Sequence, residues 1–388
     1  MKDCLTKGYG IYFDPSKTTN GQRFWENLCH SLEKETIPLK DKPGAVLFNV
    51  SAPLKAMLKA KWNRQKLVLR VDGLYFDKLS PRFLSTFRRP LRLFLSLGLW
   101  FPLTHNFFAF WANLVNRNYG VFIRILLSDL IVYQSDFSQK VYNRYFPKKL
   151  SRVIVNGSVY QHAVIARRKE HYNENIHLIT IYNQWKPAKR IHDIVDFVVW
   201  ARKEKKVQLD LTILGYTRTV PDCVPLGFKK IIQDTPYIRT LPKFRSFTSA
   251  IQKVMAESDI YITFSYRDPC PNAVVEAMSY GLPVVGMASG GLPDIVGDAG
   301  ILIEADDFVD GFFTSHRYEK QFPRINYEAV LNAVFIVTSQ KQMYRERVRQ
   351  RFDSDLGINV VANRYIKVMQ SILDRSPEPE IEFSEKFL

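Results

Sequence analysis

The segment Asp268 to Pro283, DPCPNAVVEAMSYGLP, sets a carboxylate, a proline-bearing turn and a second carboxylate, Glu276, in an order that suits nucleotide binding. Pro271 stands where a helix would begin, an apolar run follows, and Gly281 with Pro283 just beyond supplies the stop signals. A helix start carries unpaired N–H groups at the positive end of its dipole. The backbone near Pro271, Asn272, Ala273 and Val274 is therefore expected to favour a phosphate. Glu276 lies about one turn further in, where its carboxylate can accept hydrogen bonds from a ribose. The arrangement describes a pocket for a nucleotide sugar. The plainer alternative is an ordinary strand-loop-helix unit of an α/β domain.

The segment continues as EAMSYGLPVV and, a few residues later, SGGLPDIV. With its upstream strand it resembles the signature of the retaining glycosyltransferases of family 4, also called glycosyltransferase group 1: an acidic residue, seven others, then Glu before alanine. Here the pair is Asp268 and Glu276, with the first family glutamate shortened to aspartate. The resemblance implies a GT-B fold, that is, α/β with two Rossmann-like domains facing each other across a cleft. It also implies transfer of a sugar from a nucleoside-diphosphate sugar to an acceptor with retention, with the donor as substrate and no further cofactor. Asp268 would hold sugar hydroxyls and Glu276 the ribose. The family places an arginine and, five residues later, a lysine on the donor diphosphate. Those positions are Gln184 and Lys189 in QWKPAKR, with Lys186 and Arg190 near enough to replace the missing arginine. Without the resemblance, such loop cations are usually solvated surface charges.

In the first part of the chain, KLVLRVDGLYF puts Asp72-Gly73 at the end of an apolar strand, where ligands of α/β sheets bind. Many family members have a histidine at the corresponding strand end, so Asp72 is a candidate for contacting the donor sugar or the acceptor hydroxyl and taking its proton. An equally weighted alternative is that Asp72 caps a turn before Gly73. His105, in FPLTHNFF, is a second acid-base candidate, although a lone histidine among aromatics is more often packed. Asn20-Gly21, ahead of a helical pattern, resembles the family's glycine loop, where Gly21 would let backbone approach a ligand. Asp353-Ser354-Asp355 has the look of a metal-binding DxD but lacks a preceding apolar strand, and reads as a solvated helix start. No His, Cys or Glu cluster suggests a metal site.

Elements that could position these residues alternate along the chain as apolar runs and helical patterns, which argues for parallel sheets. Strands are expected near Tyr9–Phe13, Ala45–Val50, Leu67–Val71, Leu130–Gln134 and Arg152–Val155, then near His177–Tyr182, Leu209–Leu214, Ile238–Leu241, Asp259–Phe264, Val284–Met287 and Ile301–Ile303. With 388 residues two domains are expected: 1–166 on the acceptor side and 167–388 on the nucleotide-sugar side. The polar stretch Arg167–Asn175 reads as the linker. SDLIVYQSDFS and VIVNGS resemble the family's late first-domain strand and its Asn-Gly turn, and the amphipathic run Ile358–Leu373 resembles its returning helix. The cysteines Cys4, Cys29, Cys223 and Cys270 have neither metal nor redox spacing, and MKDCLTKG does not read as an export signal, so a reducing, cytoplasmic setting is expected.

The net charge of +17 is confined to one part of the chain. Residues 1–170 hold 28 Lys and Arg against 11 Asp and Glu, whereas residues 171–388 hold 27 against 27. Such a field suits an anionic surface or acceptor. Nucleic acid would be another anionic partner, but no recognition helix, RNP-like strand or zinc module is present. Between Pro81 and Val115, Arg82, Arg88, Arg89 and Arg92 interleave with large apolar residues, while Gly98, Pro102, His105 and Asn106 interrupt any membrane span. The pattern suits a helix pair lying on an anionic membrane surface at the cytoplasmic face, or else a packed hairpin over the sheet. The acceptor expected from all this is a glycan or lipid-linked glycan, as in surface polysaccharide or lipopolysaccharide assembly. A GT-B sugar-nucleotide epimerase or phosphorylase is the alternative within enzymes.

Overall fold

The computed structural model describes residues 4–6, 9–12, 22–34, 44–74, 76–162, 165, 175–182, 186–216, 227–242, 248–304 and 322–374. They form two six-stranded sheets flanked by helices. The first comprises β1 (Cys4–Thr6), β2 (Tyr9–Tyr12), β3 (Ala45–Asn49), β4 (Lys66–Arg70), β5 (Leu130–Tyr133) and β6 (Ser151–Val153), in that spatial order. Only β1, absent from the sequence reading, runs antiparallel, against β2. The second comprises β7 (Ile176–Ile181), β8 (Leu209–Tyr216), β9 (Ile238–Pro242), β10 (Ile260–Thr263), β11 (Val284–Ala288) and β12 (Gly300–Glu304). All its pairings are parallel, in the order β12-β11-β10-β7-β8-β9.

These strands read as unbroken apolar runs because helices cover both faces of each sheet. On the second sheet the helices Ile191–Glu204 and Tyr327–Ser339 bury one face, while Ser249–Glu257, Asn272–Met278 and Leu292–Val296 bury the other. On the first sheet, Leu54–Trp62, Tyr119–Leu127 and Asp136–Tyr145 cover one face. The opposite face takes Gln22–Lys34 together with Ile358–Leu373, whose Val361, Tyr365 and Met369 share a core with Trp25 and Leu28. The last described helix thus packs on the first sheet.

Two chain crossings between the sheets run side by side. Ser158 N–H donates to the Leu356 carbonyl at 2.9 Å and Ile358 N–H to the Ser158 carbonyl at 3.0 Å. Gly157 lets them approach, since a Cβ there would lie 2.8 Å from the Leu356 oxygen. Asp353–Asp355, expected as a solvated helix start, instead lies in a π-helical turn, Phe352–Leu356, leading into this crossing. Asp355 is paired with both Arg351 and Arg364, which spends its charge on structure. Of the predicted linker only Asn175 lies among the described residues.

The order of the second sheet reverses between β7 and β10. The carboxyl ends of those two strands therefore diverge into opposite directions and leave a crevice, the usual ligand position of open parallel sheets. Both expected donor motifs, the loop ending at Lys189 and the loop beginning after Thr263, leave from these two ends.

Candidate functional site

At the crevice the two loops are tied together. Tyr266 N–H donates to the Ala188 carbonyl at 2.8 Å, and Lys189 Nζ donates to Asp268 Oδ2 in an ion pair. Lys189 ends a short 3₁₀ turn, Pro187–Lys189, which Arg190 closes in the left-handed region at φ 52°. Asp268 is fixed from its other oxygen as well, where Oδ1 accepts from Cys270 N–H at 3.2 Å. Burial opposes the charged form of both partners, yet their mutual charge and hydrogen bond more than offset it. Lys189 is therefore held above the ordinary lysine value and Asp268 below the ordinary carboxylate value. Cys270 beside them is inert, since burial pushes its thiol up to about 12.

The glycines of SGGLPDIV explain why this loop is so regular. Gly290 has φ 65°, and a Cβ there would lie 2.3 Å from the Asp268 carbonyl oxygen. At Gly291 a Cβ would meet the Pro269 oxygen at 2.0 Å, and its N–H donates to the Asp268 carbonyl at 2.8 Å. Two bare backbones are thus stacked against the Asp268 turn, which no side chain would allow.

The helix Asn272–Met278 follows, with Pro271 in the cap position. The expected donor role of its start is narrower than the sequence suggests. Pro271 has no N–H, and the N–H of Val274 is already given to the Pro271 carbonyl at 2.9 Å. Neither can serve a phosphate, which restricts that role to Asn272 and Ala273. Glu276, one turn in, is 3.0 Å from Nη1 of Arg23, on the helix Gln22–Lys34 of the first sheet. Burial raises the Glu276 carboxyl above its ordinary value, with Arg23 pulling the other way.

A polar network carries the first sheet to the same place. Arg70, only 2% exposed, ends β4 with its guanidinium 4.7 Å above the Phe24 ring and 5.2 Å from that of Trp25. Its Nη1 donates to Asp72 Oδ1 at 3.0 Å and its Nη2 to Asn156 Oδ1 at 2.6 Å. Gln134 Nε2 donates to the same Asp72 oxygen at 2.6 Å. Asn156 Nδ2 in turn donates to Asn272 Oδ1 at 2.6 Å, linking the ends of β4, β5 and β6 to the start of the second sheet's helix. The Asp72 carboxylate is turned toward Arg70 and Gln134, and its side chain remains 51% exposed. Gly73 follows it, half-buried.

Other candidates fall elsewhere. His105 Nδ1 sits 2.9 Å from the Gly98 carbonyl in a helical hairpin with its own small apolar core, so it is a packed residue. Arg190 cannot replace an arginine at position 184, because it is 3% exposed, bonded to Asp193 at 2.8 Å and stacked 5.7 Å from Phe322. Lys186 is exposed. Gly21 and Gln184 lie outside the described residues. Among the described residues no group of three or more His, Cys, Asp or Glu is placed to hold a metal.

Sequence reasoning missed Arg23, Arg70, Gln134 and Asn156. Arg70 did leave a signal, since an arginine inside the apolar run KLVLRV must find partners when buried. Arg23 left none, because its role depends on how the sheets face each other.

Residues 177–318 match the sequence model of the family described as glycosyl transferases group 1. The sulfoquinovosyl transferase SQD2 of Arabidopsis thaliana is 32% identical over 112 residues, which cover 25% of this chain and 22% of that protein. The match thus spans about a fifth of that relative's length. The chain also resembles the pneumococcal O-GlcNAc transferase GtfA, solved with UDP and GlcNAc, at a TM-score of 0.54 and 15% identity, covering 85% of this chain and 57% of that one. It resembles Anabaena Alr3699/HepE in complex with UDP-glucose at 0.53 and 17%, covering 91% and 84%. A glycosyltransferase from Rickettsia africae gives 0.55 and 14%, covering 94% and 85%. The resemblance to glycosyltransferase group 1 and the two-domain α/β fold of GT-B type are borne out.

Proposed function

We propose that this protein is a glycosyltransferase that moves a sugar from a nucleoside-diphosphate sugar to a glycan or lipid-linked acceptor, with retention, in the assembly of a surface polysaccharide. The observation that carries the reading is the Lys189–Asp268 pair at the reversal point of the second sheet, with Glu276 on the helix that follows, inside the segment that matches the family. Residues 1–166 are taken as the acceptor side and 167–388 as the donor side.

Donor binding would place the diphosphate against Lys189, which exchanges Asp268 for the phosphate oxygens. Asp268, freed from the pair, accepts from sugar hydroxyls, and Glu276 accepts from the ribose. As the bond from the anomeric carbon to the diphosphate oxygen breaks, negative charge grows on the leaving group, and Lys189 stabilises it where little water reaches. The acceptor oxygen bonds to the anomeric carbon and gives up its proton, and Asp72 stands on the first sheet as the carboxylate to take it. Arg70 and Gln134 hold Asp72 in place from one oxygen and leave the other to the acceptor.

Three experiments test this. A panel of nucleotide sugars screened for hydrolysis or transfer identifies the donor. With that donor, Glu276→Ala is expected to fold and to lose about 10- to 150-fold in kcat/KM, the worth of a charged hydrogen bond; near-normal turnover would remove Glu276 from the site. Because the diphosphate charge is assigned to a lysine, transfer is expected to persist in EDTA. Loss of activity on chelation, restored by Mn²⁺ or Mg²⁺, would contradict the mechanism.

A further inference from the structure

Between β4 and β5 the chain builds a helical projection whose base and tip differ in chemistry. At the base, Asp77 pairs with Arg117 at 2.7 Å and exchanges two hydrogen bonds of 2.8 Å with Asn113, locking the end of the hairpin to the segment that leaves β4. The helices Arg89–Trp100 and His105–Asn113 then fold back on each other as a hairpin, sealed where Phe108 packs against Gly98 and Phe94. The sequence from Leu93 to Asn116 contains no Lys, Arg, Asp or Glu.

The outer surface of this hairpin is apolar nearly throughout. Leu103 at its turn is fully exposed, Trp100 is 79% exposed and Leu93 69%, with Phe101, Phe107 and Trp111 also exposed. Its polar side chains are mostly spent on its own backbone: Ser96 Oγ donates to the Leu93 carbonyl at 2.6 Å, Thr104 Oγ1 to Phe101 at 3.0 Å, and His105 faces Gly98. A patch of this kind on a chain otherwise rich in charge marks a contact surface. Arg88 and Arg89, both exposed, stand at the base end of the first hairpin helix, exposed Arg82 lies in the short helix Pro81–Leu84 just before it, and Arg92 is half-buried.

We infer that this hairpin inserts its tip into the acyl layer of a lipid bilayer, entering and leaving by the same face, with the arginines at the headgroups. The spacing fits: from Arg89 to Trp100 is about 16 Å along a helix, and half of a bilayer's hydrocarbon layer is about 15 Å. Among the described residues no helix is long and apolar enough to cross a membrane, which agrees with a re-entrant hairpin. Aromatic residues beside a cationic rim suit the boundary between headgroups and chains, whereas a protein partner would leave the arginine rim unexplained. The sequence suggested attachment mainly by arginine charge. The exposed tip assigns the larger share to apolar burial, so binding outlasts screening by salt.

The test uses the whole protein without donor, so that its outcome is independent of the sugar-transfer reading. The protein is floated with vesicles of phosphatidylcholine alone and of phosphatidylcholine mixed with phosphatidylglycerol. Wild type is expected to bind both, the anionic ones more tightly, and to stay bound at high salt. The triple variant Trp100→Glu, Leu103→Glu, Phe107→Glu is expected to lose partitioning by a hundredfold or more, since each buried side chain contributes about tenfold. Its melting temperature should match wild type because these residues are exposed. The triple variant Arg82→Gln, Arg88→Gln, Arg89→Gln should lose only the preference for anionic vesicles. Three results would overturn the inference: no binding of wild type to neutral vesicles, release by salt alone, or wild type that binds no vesicles but is a dimer the tip variant cannot form.

Discussion

Replacing Lys189 by methionine is expected to lower kcat/KM for the donor by about 10²- to 10³-fold, the usual cost of removing one preorganised donor from developing charge. It should also destabilise the protein by about 3–5 kcal/mol, because Asp268 would keep its charge at a largely buried position with its partner gone. The two effects separate in the double variant Lys189→Met, Asp268→Asn. Removing both charges relieves the unpaired carboxylate, so chemical denaturation should show most of the lost stability restored. Transfer should not recover, since the diphosphate still lacks its cation and the sugar its carboxylate. A double variant that regained activity together with stability would make the pair a structural brace and place the diphosphate elsewhere.

The same pair shows what the sequence could convey. Lys189 and Asp268 were recognisable singly, because each sits in a motif with fixed spacing in the loop that follows a predicted strand. Their bond was not, because it depends on β7 and β10 being neighbours, and strand order is a property of pairings about 80 residues apart, with no trace in local periodicity. Eleven of the twelve strands were placed within about two residues because runs such as Val284–Met287 are apolar on both faces, while β1, three residues beside a polar stretch, carried no such pattern. Arg23 and Asn156 join the site from the first sheet only because the helix Ile358–Leu373 packs beside Trp25 and fixes how that sheet stands to the second. The hairpin was legible as unusual composition, but its division into a polar base and an apolar tip needed the fold-back at Pro102–Thr104.

Gly291→Ala is expected to be severely damaging although it adds a single methyl group. Gly291 has an ordinary φ of −88°, so backbone strain is not the reason. The cost is collision: the new Cβ would lie 2.0 Å from the Pro269 carbonyl oxygen and 2.8 Å from the Ser135 Cβ. Neither neighbour can swing away as a flexible side chain would. Pro269 is joined directly to Asp268, so moving its carbonyl turns Asp268 away from Lys189. Ser135 caps the helix Asp136–Tyr145, whose first N–H is held by the Asp294 carboxylate at 2.6 Å, so moving it parts the first sheet from the second. A displacement of two backbones belongs with the exceptional losses of more than about 4 kcal/mol, and the melting temperature should fall by about 5 °C or more. Whatever folded protein remains should show a raised KM for the donor. Gly227→Ala is the control: it stands at φ 87° with nothing within 4 Å of a new Cβ, so it carries only the backbone penalty of about 1 kcal/mol. Equal, small losses for the two variants would mean that the Ser289-Gly290-Gly291 turn yields easily, and that something other than this stacked backbone fixes Asp268 for the donor.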